Sequence, residues 1–384
     1  MSKEALTLIE AKRIIGSELK ESSKIKQTSL FEGINHVIAE DVVCAKNFPV
    51  LPKSTVDGFV VSSKREKYVI KGEISLKVRP PKHLKAEDAY QVYTGSFLPI
   101  NSLYVIKKEM ASINQGMLLP VTEAAFEKNF IDAGEDCKKG ETVIKKGEVL
   151  SPRAASFLSM TGIKKVKVYQ MPKVGILPVG TELLGRTGPD LTGFVIKRFA
   201  ESMIASAELM APVPDSVDKI SEAILKLAKK YDVLLTIGGT GASNRDLTTD
   251  AVLASGGRPV FKGVKIQPGR TTGFFIIKGK PLVTLPGNAQ AAVSAFFIIL
   301  PEIFQKMGFA TMFPKEKVIL KKSIDVPEGW IRVFFAKILN HNGCKLAEIL
   351  DAKPHTLRFL LESDALLIIS ERVNEGSLVD ALLI

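Results

Sequence analysis

The stretch 231-YDVLLTIGGTGASNRDLTTD-250 carries the pattern from which the rest of this chain is read. Val233 to Ile237 form an apolar, β-branched-rich run that stops at Gly238 and Gly239, passes through small and polar residues, and resumes with helical character after Asp246. The pattern predicts a buried strand, a glycine loop and a helix start. Glycines let backbone N–H groups close on an anion, and the helix N-terminus adds partial positive charge, so such a loop suits a phosphate. Tight-turn geometry alone also calls for glycine after a strand, which leaves both readings open for a single loop. The logic returns in 282-LVTLPGNAQAAVSAF-296, with a strand over 282–285, a turn at Pro286, Gly287 and Asn288, and a helix from Ala289. Two such loops in one α/β unit open on the same edge of a parallel sheet, where ligands of such folds sit.

Outward from these loops, strands alternate with helices. The run VGILPVGTELL after Lys173 reads as a strand, a turn at Gly180 and then Glu182; residues 211–215 read as an edge strand; and 216–230 reads as a helix with Asp215 as its N-cap. This alternation predicts a doubly wound parallel sheet. Toward the N-terminus, residues 7–19 have helical apolar spacing, a second helix is expected near Ser29, and 59–148 carries short β-type runs broken by Pro80, Pro81 and Gly95. Residues 147–172 read as a turn, a helix over 152–160 and a strand over 165–169, and from Phe313 short strands return.

At 384 residues and 46% hydrophobic content the chain can bury large cores spread over two to four domains. It contains no apolar run of 18 residues, and its start, MSKEALTLIEAKR, lacks the apolar centre of a signal peptide, so a cytoplasmic location without membrane attachment is expected. Cys44, Cys137 and Cys344 are scattered and odd in number; neither a disulfide framework nor a CxxC metal site is expected, and the thiols read as reduced. The four histidines, His36, His83, His341 and His355, have no ligand spacing. The net charge of +12 favours an anionic partner: nucleic acid, an acidic protein or a phosphorylated small molecule. Lysine clusters at 64–67, 82–85 and 315–322 lack interleaved aromatics, which speaks against nucleic acid and for solvated surface.

The order of the loops is more telling than any one of them. GGTG with Arg245-Asp246-x-Thr248, then Gln267-Pro268-Gly269-Arg270, then Leu285-Pro286-Gly287-Asn288, resembles the molybdopterin-binding domain shared by the MogA/MoaB and MoeA families. The stretch 31-FEGINHVIAEDVVCAKNFPVLPKSTVDGFVV-61 resembles the MoeA N-terminal signature, EALGRVLAEDV followed by SAMDGYAV, and places Asp57-Gly58 at the family's DG. Tyr93-Thr94-Gly95, Pro99 and Glu109 fall on TGAPVPxGADAVVxxE, with Leu103 where the family has an acid; Gly134-Glu135-Asp136 falls on GED; Glu182 falls on GDEL, with Thr181 for the aspartate. The C-terminal residues 346–384 resemble the small β-barrel of MoeA. The resemblance covers essentially the whole chain and implies a multidomain α/β fold of four parts. These are an elongated domain (1–44 with 147–172), an inserted β-rich domain (45–146), a MogA-like doubly wound sheet domain (173–311) and a C-terminal β-barrel (312–384).

The resemblance also supplies a reaction: Mg²⁺-dependent insertion of molybdate, or tungstate, into adenylylated molybdopterin with release of AMP. It implies a homodimer with the site between subunits, and a MogA/MoaB-type adenylyltransferase as supplier of the nucleotide. Asp57, Asp136, Glu182 and Asp246 are the expected catalytic carboxylates, with Glu182 and Asp246 as metal ligands. Carboxylates beside a phosphate loop repel an anionic ligand unless a cation lies between them, which is why they imply Mg²⁺. The expected ligand-binding residues are Thr94, Gly95, Gly238, Gly239, Thr240, Gly241, Ser243, Asn244, Arg245, Pro268, Gly269, Arg270, Pro286, Gly287 and Asn288. Several pocket motifs depart from MoeA. GGTGASNRD stands for GGxSxGxxD and is closer to the adenylyltransferase form GGTGxxxRDxT; TGFVIKR at 192–198 stands for YD(S/T)N; QPGRT stands for KPGKP; and PGNA stands for PGNP. Molybdopterin binding without insertion, or adenylyl transfer, is therefore the alternative, with a scaffold or nucleic-acid binder as a third.

Overall fold

The structure is a computed structural model that describes residues 5–19, 24–185, 190–203, 206–240, 246–307, 313–350 and 357–384. The chain divides into two units, one formed by Gln27–Ile34 and Ile38–Val168 and the other by Met1–Lys26, Asn35–Val37 and Tyr169–Ile384.

The first unit holds the β-rich part. Its strands Gly58–Val61 (β1), Tyr68–Ile74 (β2), Asp88–Val92 (β3), Tyr104–Lys107 (β4), Ala111–Asn114 (β5) and Met117–Pro120 (β6) form one sheet in the order β4-β1-β3-β2-β6-β5. Alternate residues of β1 feed opposite faces: Phe59 and Val61 pack with Tyr68 and Ile106, and Val60 packs with Ile74, Val92 and Val105. A separate core gathers Ile38, Val42, Ile144 and Val166 around the helix Pro152–Met160, which Ser151 caps and Pro152 opens. The helix expected near Ser29 is instead a single turn, closed by the Gly33 N–H donating to Ser29 O at 2.9 Å.

Between those two cores the chain passes once outward and once back. The strands Val42–Val43 and Thr142–Ile144 pair antiparallel, and Phe48 and Cys137 exchange backbone hydrogen bonds of 2.8 and 3.0 Å. Cys44 and Cys137 form a disulfide here, with Cα atoms 6.7 Å apart, which corrects the expectation of reduced, unlinked thiols. Spacing could not show the pair: 93 residues separate the two cysteines, and only the antiparallel return of the chain makes them neighbours.

The second unit contains the α/β part and a barrel. Strands Lys173–Pro178 (β7), Ser206–Leu209 (β8), Val233–Ile237 (β9), Arg258–Lys262 (β10), Gly273–Ile277 (β11) and Lys280–Leu285 (β12) form a sheet in the order β8-β7-β9-β12-β11-β10. The first four run parallel, and β11 runs antiparallel to both its neighbours. Every residue of β9 is buried, as befits a strand covered on both faces. One face packs Leu177, Leu234, Phe275 and Leu282 against the helices Val217–Lys230 (α2) and Leu247–Ala254 (α3), with Ile220, Ile224 and Leu227 as the buried stripe of α2. The helices Leu191–Ser202 (α1) and Ala289–Lys306 (α4) meet through Phe199 and Phe297, whose rings lie edge to face at 4.8 Å. The edge strand is β8, displacing the expected strand at 211–215, of which only Val213 bridges to the sheet, at Val179. Ser216, not Asp215, is the N-cap of α2.

Strands Lys315–Leu320 (β13), Ile331–His341 (β14), Cys344–Ile349 (β15), Ala365–Ile369 (β16) and Leu378–Leu383 (β17) close into a five-stranded barrel in the order β14-β15-β13-β17-β16-β14. Asn342 and Gly343, both with positive φ, turn β14 into β15 as the two-residue hairpin connection requires. No described helix is long and apolar enough to cross a membrane.

Candidate functional site

From β7 the chain moves outward to β8, then crosses back over β7 to reach β9. The strand order therefore reverses between β7 and β9, and ligands of open α/β sheets lie at the carboxyl ends of strands at such a reversal. A cavity of about 520 Å³ lies there. Val179, Gly180 and Glu182 follow β7; Gly238, Gly239 and Thr240 follow β9; Pro286, Gly287 and Asn288 follow β12.

The glycine loop is held by close backbone packing. Gly238 has φ +95°, and a Cβ there would meet Val179 O at 2.3 Å. Gly239 has φ +67°, and a Cβ there would meet Thr248 Oγ1 at 2.2 Å. That Thr248 hydroxyl donates to Gly238 O at 3.0 Å, while the Gly238 N–H donates to Leu285 O at 3.1 Å, so the loop is tied to α3 and β12 together. Asn288 caps α4 and accepts from the N–H groups of Gln290 and Ala291 at 3.0 and 3.3 Å, which places an 18-residue helix N-terminus beside the cavity.

The expected acids fall differently. Glu182 lines the cavity, but the carboxylates that line it with Glu182 are Asp190 and Asp215. Asp190 caps α1 through the Gly193 N–H at 2.8 Å. Asp215 accepts the Thr181 N–H at 2.9 Å, and its own N–H donates to Thr181 Oγ1 at 3.0 Å. Asp246 is engaged elsewhere: one carboxylate oxygen accepts from the Thr249 N–H at 2.9 Å as the N-cap of α3, and the other meets Lys262 Nζ at 2.6 Å. Among the described residues no group of three or more His, Cys, Asp or Glu is gathered tightly enough to hold a metal ion by protein groups alone. The donor set still suits Mg²⁺, which keeps several waters and needs one or two carboxylates with phosphate oxygens of a substrate. Asp190, Asp215 and Lys262 were missed in the sequence. Asp190 and Asp215 carry N-cap signals, before LTGF and before SVDKI, that say nothing of a shared cavity, whereas Lys262 carries no local signal beyond its charge.

Pro268, Gly269 and Arg270 line a second cavity, of about 480 Å³, with Trp330 and Pro327. The Arg270 guanidinium lies over the Trp330 ring at 5.9 Å. Gly241, Ser243, Asn244 and Arg245 lie outside the described residues.

In the first unit, Asp57 accepts from the Thr94 N–H at 2.7 Å and the Thr94 hydroxyl at 2.9 Å. The backbone hydrogen bond first, and then the hydroxyl, hold the Asp57 carboxyl below its ordinary range. Gly95 follows with φ +91°. Asp136 stands next to the Cys44–Cys137 disulfide, and its N–H donates to Phe48 O at 3.1 Å. The lysine clusters are in part paired, as with Lys64 and Glu123, Lys317 and Asp380, and Lys321 and Glu348.

Known proteins match this architecture along the whole chain. A family model described as "MoeA N-terminal region (domain I and II)" matches residues 2–162, and one described as "Probable molybdopterin binding domain" matches 175–305. A Methanocaldococcus jannaschii protein whose name assigns it to molybdopterin biosynthesis is 27% identical over 100% of this chain and 99% of its own length. The molybdopterin molybdenumtransferase of Haemophilus influenzae is 26% identical, over 79% of this chain and 78% of its own. The solved structure of the molybdopterin biosynthesis MoeA protein from Pyrococcus horikoshii superposes with a TM-score of 0.81 at 25% identity, covering 99% of this chain and 100% of that one.

Proposed function

Because this chain belongs to the MoeA family, we propose that it is a molybdopterin molybdenumtransferase that inserts molybdate, or tungstate, into adenylylated molybdopterin and releases AMP. The observation that carries this reading is the cavity at the strand reversal, where a glycine loop and a helix N-terminus face three carboxylates. The Gly239 backbone and the positive end of the α4 dipole would draw the phosphate oxygens. Glu182 and Asp215, together with phosphate oxygens of the substrate and water, would hold Mg²⁺, which when bound neutralises phosphate charge. Asp246 then acts at one remove: its bond to Thr249 fixes the start of α3, and its ion pair fixes Lys262. Arg270 over Trp330 offers a planar cation to an oxyanion, and we assign the molybdate or tungstate substrate to that second cavity. The proposal includes a cytoplasmic homodimer supplied with nucleotide by a MogA/MoaB-type adenylyltransferase.

The test is reconstitution with adenylylated molybdopterin, Mg²⁺ and molybdate or tungstate, following AMP. Oxyanion-dependent AMP release is expected, falling at least tenfold in Glu182→Gln and in Asp215→Asn. Release indifferent to the oxyanion would sink the insertion reading. A second reading, adenylyl transfer, is favoured by the GGTG sequence, whose first glycine is pinned by Thr248; ATP consumption with bare molybdopterin would select it.

A further inference from the structure

The QPGRT loop presents consecutive residues to two different cavities: Arg270 lines the one beside Trp330, and Thr271 lines the one beside the glycine loop. The loop is firmly built. The buried Thr272 donates its hydroxyl to Gly269 O at 2.7 Å and its N–H to the same oxygen at 3.1 Å, and the Gly273 N–H donates to Thr284 Oγ1 at 3.0 Å. Thr271 itself is exposed, and its Oγ1 lies 3.4 Å from Oγ1 of Thr240, which is buried in the glycine loop. Two hydroxyls that satisfied each other would sit at about 2.7–2.8 Å. A separation of 3.4 Å leaves both able to turn toward a third oxygen supplied by a ligand.

From this geometry we propose that Thr271, with Thr240, forms a hydroxyl clamp for a phosphate oxygen of the nucleotide, and that Thr271 is a positioning residue setting that phosphate in register with the oxyanion cavity. The inference rests on the reading of the first cavity as a phosphate site. A hydrogen-bonded loop that touches both cavities ties their spacing to one backbone segment. The hydroxyl contributes by binding a charged oxygen, and the backbone by fixing where that oxygen sits.

The experiment is calorimetric titration of inorganic pyrophosphate and of AMP, each with Mg²⁺, into the full-length wild type and into Thr271→Val and Thr271→Ser. Melting temperatures are measured alongside, and kcat and KM are measured in the reconstituted reaction. Wild type is expected to bind pyrophosphate. Thr271→Val should weaken it about tenfold, the worth of one hydrogen bond to a charged group, with the loss appearing in KM, while Thr271→Ser stays within about twofold of wild type. Equal binding by wild type and Thr271→Val overturns the clamp and leaves the cavity reading standing. Equal weakening by valine and serine also overturns it, because loop shape rather than the hydroxyl would be responsible. A wild type that binds neither probe overturns the cavity reading and the clamp with it.

Discussion

At Asp57 the structure turns a sequence ambiguity into chemistry. An Asp-Gly pair between apolar runs would serve a hairpin, yet here the carboxylate reaches Thr94, 37 positions along the chain, through two hydrogen bonds. Those bonds depress its folded-state pKa below the ordinary 3.8. The sign follows: the contact is at full strength above the ordinary value and is lost only as pH falls through the folded value. The Thr94 amide resonance should therefore stay constant from pH 8 to about 5 and move only below about pH 4; a change near neutrality would show that the carboxylate is not the acceptor. Gly239 makes a second test at this scale. Alanine there would need φ near +67° and would press on Thr248. Loss of pyrophosphate binding by at least tenfold is expected in Gly239→Ala, and undiminished binding would remove the loop from the site.

Among elements, the ends of helices matter more than their middles. Asn288, Asp246 and Asp190 each cap a helix beside the sheet's carboxyl edge, so residues readable as ligands also hold the backbone that forms the site. Replacing Asn288 with alanine should cost about 1 kcal/mol of stability, read by denaturant melting, together with weaker phosphate binding. A stability change without a binding change would confine Asn288 to capping. The cap expected at Asp215 shows why boundaries misread. Both Asp215 and Ser216 are good caps, and the helix begins after Ser216, which frees Asp215 to exchange two bonds with Thr181. Local propensity could not choose between them, because the deciding partner is a loop 34 residues away.

For the whole molecule, the disulfide stands where the chain enters and leaves the β-rich part of the first unit. Cross-linking so long a loop restricts the unfolded chain. The double substitution Cys44→Ser with Cys137→Ser should lower the stability of this unit by about 2–4 kcal/mol. Denaturant titration with probes in each unit should show one transition shifted and that of the sheet-and-barrel unit unchanged. Equal shifts in both would mean the units unfold as one.

What the sequence determined by itself was the order of layers and the placing of the glycine and turn loops at the strand ends. The buried run of β9, the glycines after it and the second strand and turn at 282–288 are local patterns with periods of a few residues, and hydrophobic periodicity with turn chemistry reports such patterns directly. The same holds for the alternation of 173–306 and the short strands of the barrel. Tertiary structure alone decided which acids share the cavity, that Asp246 answers to Lys262, that Thr240 and Thr271 meet, and that Cys44 joins Cys137. The ion pair, the threonine pair and the disulfide link residues separated by at least 16 positions and depend on strand order and crossover, and one sequence carries no local record of which distant charges or sulfurs a crossover will bring together.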